Sequence, residues 1–335
     1  MQKRLALVVT LILLLTFSVF AKGEKEYPAR DLTTVVVWGA GGGTDTCNRV
    51  IMAEMQKILG VNINVINKPG GVAGSVGMNY AYSQPHDGYT ICGLSESCVT
   101  AGVQGGFDKR MNVWEYFIVG GSPDVVSVTP NLEHDTIESL LEAAKANPGT
   151  IKACASGAGS IHHLNLLALE KGSGAKFNFI PYKGSAPCQN AAMTGEVSVV
   201  ITSIAEQAQL IRGGKLKPLA MLIPEDFEVD GKKIPSAFGK YPDLKQYLPI
   251  MQAIGFAVPK DVPDQVKTKL KEAFDKAMAT DALKEFGKKN FYVLSGKTGK
   301  PAGDEFDALE SNFGWTLHEL GAAKVSPETL GIPKP

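Results

Sequence analysis

The stretch Val35-Val36-Val37-Trp38-Gly39-Ala40-Gly41-Gly42-Gly43-Thr44-Asp45 joins an apolar β-branched run to an amphipathic run over Cys47–Leu59. The first pattern predicts a strand and the second, with apolar residues at helical spacing, predicts a helix. Glycines leave backbone N–H groups exposed, and a helix that begins near Thr44 or Asp45 adds the positive end of its dipole. Together these features predict an anion seat, which could suit a phosphate, a nucleotide or a carboxylate.

Strand-like and helix-like patterns alternate through the first third of the chain. Such a β-α-β order predicts a parallel sheet flanked by helices. The predicted elements are strand Leu32–Val37, helix Asn48–Leu59, strand Val61–Ile66, helix Ser75–Ser83, strand Tyr89–Leu94 and strands near Tyr116–Val119 and Val125–Thr129.

A second α/β series follows, and the chain then returns to the first. Its predicted elements are helix Thr136–Ala146, strand Thr150–Ala155, helix Ile161–Lys171, strand Lys176–Ile180, helix Ala186–Thr194, strand Val197–Thr202, helix Ala205–Arg212 and strand Lys217–Leu222. Proline and charge between Pro224 and Pro249 predict loops. The last elements are strand Ala253–Val258 and helices Asp264–Ala279, Ala282–Asn290 and Gly303–Gly321.

This order predicts two α/β lobes with a ligand cleft between them. Residues 27–125 and 252–335 would form the first lobe, and residues 126–251 would form an inserted second lobe. The mature length fits two domains of about 150 residues each.

The N-terminus has the features of a secretory signal. Lys3 and Arg4 precede an apolar run over Leu5–Phe20, and Val19-Phe20-Ala21 supplies small residues for a cleavage site. We expect residues 1–21 to be cleaved and the mature chain to be exported to the periplasm. No later segment has the length and apolarity of a membrane span.

Composition argues against several other classes of protein. The chain has 34 Lys and Arg against 34 Asp and Glu, so it lacks the basic surplus of a nucleic-acid binder. Its five cysteines form neither a CxxC pair nor a metal-ligand cluster. Cys92 and Cys98 are close enough to be bridged, but their spacing alone does not decide this, and buried free thiols are favoured. Because His162 and His163 are adjacent, they cannot form a helical metal pair. No metal or cofactor is expected.

Nucleotide binding fits the glycine run poorly. A P-loop requires Gly-Lys-Ser/Thr, whereas Gly43 is followed by Thr44 and Asp45. The dinucleotide fingerprint lacks its third glycine.

Two further turns use the same physical device. Ala155-Ser156-Gly157-Ala158-Gly159-Ser160 and Pro181-Tyr182-Lys183-Gly184-Ser185 each lie between a predicted strand and a predicted helix. Three such turns in two lobes suggest that they converge on one cleft, which could hold a ligand with more than one anionic group.

At this point the order of motifs resembles that of a known family. The motifs are Tyr27-Pro28-Ala29-Arg30, Gly41-Gly42-Gly43-Thr44-Asp45, Asn67-Lys68-Pro69-Gly70-Gly71, Pro85-His86-Asp87-Gly88-Tyr89-Thr90, Ala146-Asn147-Pro148-Gly149, Ser156-Gly157-Ala158-Gly159-Ser160, His163-Leu164 and Pro181-Tyr182-Lys183-Gly184-Ser185-Ala186-Pro187. The chain resembles the substrate-binding proteins of tripartite tricarboxylate transporters, the Bug receptor family. The resemblance covers essentially all of the mature chain and weakens from about Pro224 onward.

The resemblance implies a two-lobed fold like that of type II periplasmic binding proteins, in which each lobe is a mostly parallel sheet flanked by helices. It implies a monomeric, non-enzymatic receptor that closes on a small carboxylate and delivers it to membrane permease subunits. That solute could be a di- or tricarboxylate, an acidic amino acid or an aromatic acid. The expected ligand-binding residues are Gly41, Gly42, Gly43, Thr44, Asp45, Ser95, Glu96, Ser156, Gly157, Gly159, Ser160, His163, Tyr182, Lys183, Gly184 and Thr202.

Several of these residues have a second interpretation. Asp45 is expected to cap its own loop, and His163 to anchor its loop through a hydrogen bond. Lys183 could contact the ligand or only stabilise its turn. Glu96 and Thr202 depart from the family pattern. If Glu96 faces the cleft, it would repel a second carboxylate or pair with a ligand amine, whereas on the rim it would be solvated.

Other functions remain as alternatives. A binding protein that serves an ABC permease or a sensor kinase would share the same cleft. A secreted serine hydrolase would use Ser75 within Ala73-Gly74-Ser75-Val76-Gly77, but this segment follows loop residues and not a strand. We therefore favour the receptor.

Overall fold

A computed structural model of the protein describes residues 26–335 except 247, 249, 250 and 320. The predicted signal peptide, residues 1–21, lies outside the described residues. Within the described part, no helix combines the length and the apolarity needed to cross a membrane.

Thirteen strands and nine α-helices make up the described chain. The strands are β1 Leu32–Val36, β2 Ile63–Asn67, β3 Thr90–Ser95, β4 Trp114–Gly121, β5 Asp124–Val128, β6 Lys152–Cys154, β7 Asn178–Phe179, β8 Val199–Ser203, β9 Lys217–Met221, β10 Phe227–Val229, β11 Lys232–Ile234, β12 Ile254–Pro259 and β13 Val293–Thr298. The helices are α1 Gly43–Leu59, α2 Ser75–Tyr82, α3 Ile137–Ala146, α4 Ile161–Ser173, α5 Ser185–Met193, α6 Ile204–Arg212, α7 Asp264–Met278, α8 Asp281–Asn290 and α9 Gly299–Glu319.

Two mixed sheets form the centres of the two lobes. The first has the order β13-β4-β12-β3-β1-β2 and the second has the order β7-β6-β8-β5-β9. Strand β1 runs parallel to β2 and β3, but β12 runs antiparallel to β3 and β4. The sheets are thus mixed and not mostly parallel. The reason is topological: the chain leaves the first sheet through β4 and returns in β12, so these neighbours point in opposite directions.

The two chain crossings between the sheets lie against each other. A Cβ atom on Gly121 would stand 1.8 Å from the carbonyl oxygen of Gln252, so only glycine fits at that position. The N–H of Ser122 donates to Oε1 of the same glutamine at 3.3 Å. The residue boundaries expected for the lobes stay a prediction.

Helices cover both faces of the first sheet. On one face, α1 and α7 bury Ile51, Met55 and Phe274 against Phe117 and Phe256, whose rings stack at 4.7 Å. Each such side chain contributes about 1.5–3 kcal/mol when it is fully buried. The other face packs under α2 and α9. These helices pack against the sheet, and its strands β1 and β3 end at turns that build the site described below.

Three predictions at the level of elements were wrong or incomplete. The segment from Pro224 to Pro249 contains the β10–β11 hairpin. Strand β13 was not predicted because it is an edge strand whose residues are all exposed or half-buried. Helix α9 begins at Gly299 instead of Gly303.

The disulfide joins Cys154 at the end of β6 to Cys188 in α5, with Cα atoms 5.8 Å apart. Cys92 and Cys98 are therefore not bridged, and both are buried free thiols together with Cys47. Burial raises the pKa of Cys98 to about 12, so this thiol is unreactive at neutral pH. The sequence favoured free thiols in general and did not identify the bridged pair.

Removing this bridge is expected to destabilise the second lobe. The bridged residues are 34 apart, and closing a loop of that length is worth about 3–4 kcal/mol in the chain-entropy picture. The double variant Cys154→Ser, Cys188→Ser should lose that free energy of unfolding in urea titrations. A reductant should lower the stability of the wild type by a similar amount and leave the variant unchanged. Equal stability of oxidised and reduced wild type would contradict the assigned bridge.

Candidate functional site

A small, partly open cavity lies between the two lobes. Its volume is about 20 Å³ for the centre of a water-sized sphere, which is room for one or two waters. A solute of several carbon atoms needs the lobes to separate or side chains to move. The cavity is lined by Trp38, Gly42, Gly43, Thr44, Ser95, Glu96, Ser97, Ser156, His162, Ser185, Glu206 and Gln252. Six of these were expected from the sequence, namely Gly42, Gly43, Thr44, Ser95, Glu96 and Ser156.

The first wall is the glycine loop that follows β1. A Cβ atom on Gly39 would lie 2.9 Å from the carbonyl oxygen of Lys183, and the N–H of Gly39 donates to that oxygen at 3.1 Å. A Cβ atom on Gly43 would lie 2.8 Å from Oε1 of Glu206. The loop is glycine-rich because its backbone contacts the second lobe directly.

Side chains of the protein itself accept from the loop's backbone donors. The N–H of Gly41 donates to Asp45 Oδ2 at 2.8 Å, and the N–H of Gly43 donates to Glu206 Oε1 at 2.7 Å. The expectation that these two donors are free for a ligand carboxylate is therefore corrected. The sequence shows where donors are exposed on an isolated turn, but not which acidic side chain the other lobe brings to them.

Asp45 acts on its own loop. Burial opposes ionisation of its carboxyl group, but hydrogen bonds from Arg49, Gly41 and Asn67 outweigh burial and lower the pKa of Asp45. Because its oxygens accept from Gly41, Arg49 and Asn67, it stabilises the turn and does not line the cavity.

The second wall is the turn between β6 and α4. Ser156 lines the cavity with a φ of +57°, an uncommon value for a residue other than glycine. Ser160 caps α4 by accepting from the N–H of His163 at 3.3 Å. The Nδ1 of His163 in turn accepts from the N–H of Gly159 at 3.1 Å, as the sequence suggested. Gly157, Gly159, Ser160 and His163 therefore shape the turn, and the cavity wall itself is Ser156.

His163 is held as a neutral ring. It stacks on Phe179 with centroids 4.0 Å apart, and burial lowers its pKa to about 4. A neutral Nδ1 is what the loop needs, since it must accept and not donate a hydrogen bond.

The third wall begins at the N-terminus of α5, where Ser185 lines the cavity. Its neighbours do not. The hydroxyl group of Tyr182 donates to Glu196 at 2.8 Å, and the side chain of Lys183 is exposed. Gly184 is buried as the N-cap of α5. These three were expected in the site, but the turn directs Tyr182 and Lys183 outward.

Thr202 also lies outside the cavity lining. It is fully buried in β8, where its hydroxyl oxygen accepts from Gln189 at 2.9 Å. Its side chain belongs to the packing between β8 and α5, which explains why it does not reach the cavity.

His162 is the basic residue at the centre of the site, and it was not predicted from the sequence. Its Nδ1 lies 2.8 Å from Oδ2 of Asp124, and its Nε2 lies 3.4 Å from Oε2 of Glu206. Burial by itself lowers the pKa of His162, but the carboxylates of Asp124, Glu206 and Glu96 outweigh it and raise this pKa to about 9. His162 is consequently an imidazolium at neutral pH.

Glu96 faces the cavity and is not a solvated rim residue. Its side chain accepts from the hydroxyl group of Ser97 and from the N–H of Ala253, both at 2.7 Å. Burial is the largest effect and raises the pKa of Glu96 to about 7, although Ser97, Ala253 and His162 each lower it. Glu96 is therefore partly ionised near neutral pH.

Glu206 and Gln252 were also missed. Glu206 lies three residues after Ser203, the spacing of a capping box, and the box is present in α6. The pattern therefore predicts the start of a helix, and it gives no sign that the carboxylate of Glu206 also reaches the first lobe. Gln252 lies on the return crossing, and no local sequence pattern marks it.

The titration of His162 makes stability depend on pH. Its folded-state pKa of about 9 exceeds the ordinary histidine pKa of 6.5, so its contribution is complete below pH 6.5 and is lost as pH rises through 9. We expect the wild type to lose on the order of 2–3 kcal/mol from this source between those limits. Urea unfolding of His162→Gln should show a correspondingly flatter pH dependence over this range.

The neighbouring histidine supplies the matched control. His163 has a pKa of about 4 and stays neutral over the same range, so His163→Gln should keep the wild-type slope. If His162→Gln and His163→Gln had the same slope as the wild type, the imidazolium assignment would be wrong.

Comparisons with known proteins place the chain in a family. The sequence profile described as "Tripartite tricarboxylate transporter family receptor" (TctC) matches residues 47–297. Protein BugT of Bordetella pertussis is 32% identical over 201 residues, which cover 58% of this chain and 61% of BugT. The aligned part thus spans somewhat less than two thirds of that relative.

Two solved structures share the fold. The periplasmic binding protein BugD has a TM-score of 0.81 at 23% identity, over 89% of this chain and 99% of BugD. MatC from Rhodopseudomonas palustris, solved with bound malate, has a TM-score of 0.78 at 20% identity, over 86% of this chain and 98% of MatC. Both confirm the two-lobed α/β architecture. The matched profile covers well over half of the chain, and the protein therefore belongs to the tripartite tricarboxylate transporter receptor (TctC) family, to which the Bug-type receptors are similar.

Proposed function

We propose that the protein is a periplasmic, non-enzymatic receptor that captures a small solute with at least one carboxylate and delivers it to the permease subunits of a tripartite transporter. The observation that carries the proposal is the meeting of two helix N-termini, those of α1 and α5, at one polar cavity. Neither N-cap glycine, Gly42 or Gly184, supplies a side-chain cap. Glu206 already accepts from the N–H of Gly43 at the start of α1, so a solute carboxylate would be held by the N-terminus of α5 and its dipole.

Closure of the lobes would be the signal that the permease reads. The contacts across the cavity include Gly39 to Lys183 and Gly43 to Glu206, and both must lengthen for a solute to enter. Solute binding that favours the closed form shifts the population of molecules towards closed lobes. The permease would thereby distinguish the solute-bound receptor from the empty one.

The rival functions find less support. Ser75, the candidate nucleophile, lies at the start of α2 outside the cavity lining, and its carbonyl oxygen accepts from Asn79 at 2.8 Å. A receptor for an ABC permease or a sensor kinase would use the same cavity, and the family membership favours the tripartite system.

A side chain at Gly42 tests the cavity. The φ of this residue is −77° and the nearest atom to an added Cβ is the carbonyl oxygen of Gly39 at 3.4 Å, so Gly42→Leu should leave each lobe folded. The rest of its side chain should occupy the space between the lobes that a solute needs. In thermal-shift measurements with malate, succinate, adipate, aspartate and 4-aminobutanoate, a solute at a hundred times its Kd should stabilise the wild type by about 2.7 kcal/mol. Gly42→Leu should lose this stabilisation.

Gly303→Leu is the matched control, because it makes the same change where an added Cβ meets nothing within 4 Å. It should keep the wild-type response. Equal stabilisation of Gly42→Leu and Gly303→Leu would count against the assigned cavity. Gly159 is unsuitable for this test because its φ of +78° makes any side chain strained.

Export can be checked separately. Cleavage after Ala21 would give a mature chain that begins at Lys22, and the intact mass of protein from a periplasmic extract measures this directly. A full-length mass in that fraction would contradict the assigned signal peptide.

A further inference from the structure

Glu206 occupies a place where a solute carboxylate would otherwise be expected. Its Oε1 accepts from the N–H of Gly43, in the first turn of α1, at 2.7 Å. Its Oε2 accepts from the N–H and the hydroxyl group of Ser203 at 3.1 and 3.0 Å. An acidic side chain of the second lobe therefore sits on the positive end of a helix in the first lobe.

A second carboxylate faces the same cavity. Glu96 is 1% exposed, and its side-chain oxygens accept from Ser97 and Ala253. The groups that contact Glu96 and Glu206 are hydrogen-bond donors, so both side chains act as acceptors in the site. They lie in a region where water screens charges far less than at the surface.

The positive charge of His162 is already balanced by acidic residues in the site. His162 is the basic side chain among the lining residues that the structure describes, and it faces Asp124, Glu206 and Glu96. Three acidic groups thus surround one imidazolium. A solute group placed against Glu96 and Glu206 meets a negative field, which repels a carboxylate and attracts an ammonium group.

Donors suited to a carboxylate remain at the N-terminus of α5, in the same lobe as Glu206. The N-cap of α5 is Gly184, and the first N–H of this helix, that of Ser185, lies at the cavity wall. A Cβ atom on Gly42 would lie 3.8 Å from the nitrogen of Ser185, so this helix end meets the glycine loop across the cavity.

Building on the proposed receptor function, we propose that the solute is an aminocarboxylate, with its carboxylate at the N-terminus of α5 and its ammonium group against Glu96 and Glu206. Glu206 is then a specificity-determining residue: it holds the amide of Gly43 and thereby excludes a second carboxylate. A diacid would have to displace this side chain and sit beside its charge.

Chain-matched probe pairs test the proposal by calorimetry. Succinate and β-alanine, glutarate and 4-aminobutanoate, and adipate and 5-aminopentanoate each differ by exchange of one carboxylate for an ammonium group. For at least one pair, the wild type should bind the aminocarboxylate ten times or more tightly than the diacid, since charges at this depth interact strongly. Glu206→Gln should reduce that preference by about tenfold or more, and it keeps a residue type that capping boxes accept.

Glu196→Gln is the matched control, an exposed acidic residue of the same lobe that contacts Tyr182 outside the cavity. It should leave the preference unchanged. The proposal is overturned if the diacid of every pair binds the wild type as tightly as its partner, if Glu206→Gln keeps the full preference, or if no aminocarboxylate binds. If a diacid binds tightly in any of these cases, the proposed receptor function still holds. If neither the diacids nor the aminocarboxylates bind, the proposed receptor function is overturned as well.

Discussion

The constraint on which the site depends is the close approach of the glycine loop to the second lobe. Atoms of Lys183 and Glu206 stand less than 3 Å from where a side chain would begin at Gly39 and Gly43. Bare backbone lets main-chain donors of one lobe reach acceptors of the other without intervening water. The cavity is narrow because this contact is direct, and the buried charged groups that line it lie close to one another.

Much of the architecture could be predicted from local patterns. The β1–glycine–α1 unit shows a change of hydrophobic period at a turn, and that signal is local. The direction of strand pairing could not be predicted from local patterns. Strands β12 and β4 are antiparallel because the chain crosses between the lobes twice, and no single segment of the sequence reveals this. Edge strand β13 was missed since it lacks the apolar alternation of a half-buried strand.

The site shows the same limit more sharply. Turns such as that at Ser156 were predicted because a run of small residues before a helix leaves backbone N–H groups exposed, and this signal is local. His162 and Glu206 were not, because each has an ordinary local role at the start of a helix. Their function arises from contacts between residues too far apart in the chain for any motif to span, such as Gly43 and Glu206, whose sequence separation is 163. Charge in the cavity is therefore a property of the fold and not of any motif.

The bridge between Cys154 and Cys188 has a consequence for affinity. It fastens the end of β6, which precedes Ser156, to helix α5, which begins at Ser185. Two walls of the cavity are thereby fixed to each other during folding. Because these two walls are already ordered relative to each other before a solute binds, this half of the cleft is preorganised. The entropic cost of binding then falls mainly on movement between the lobes.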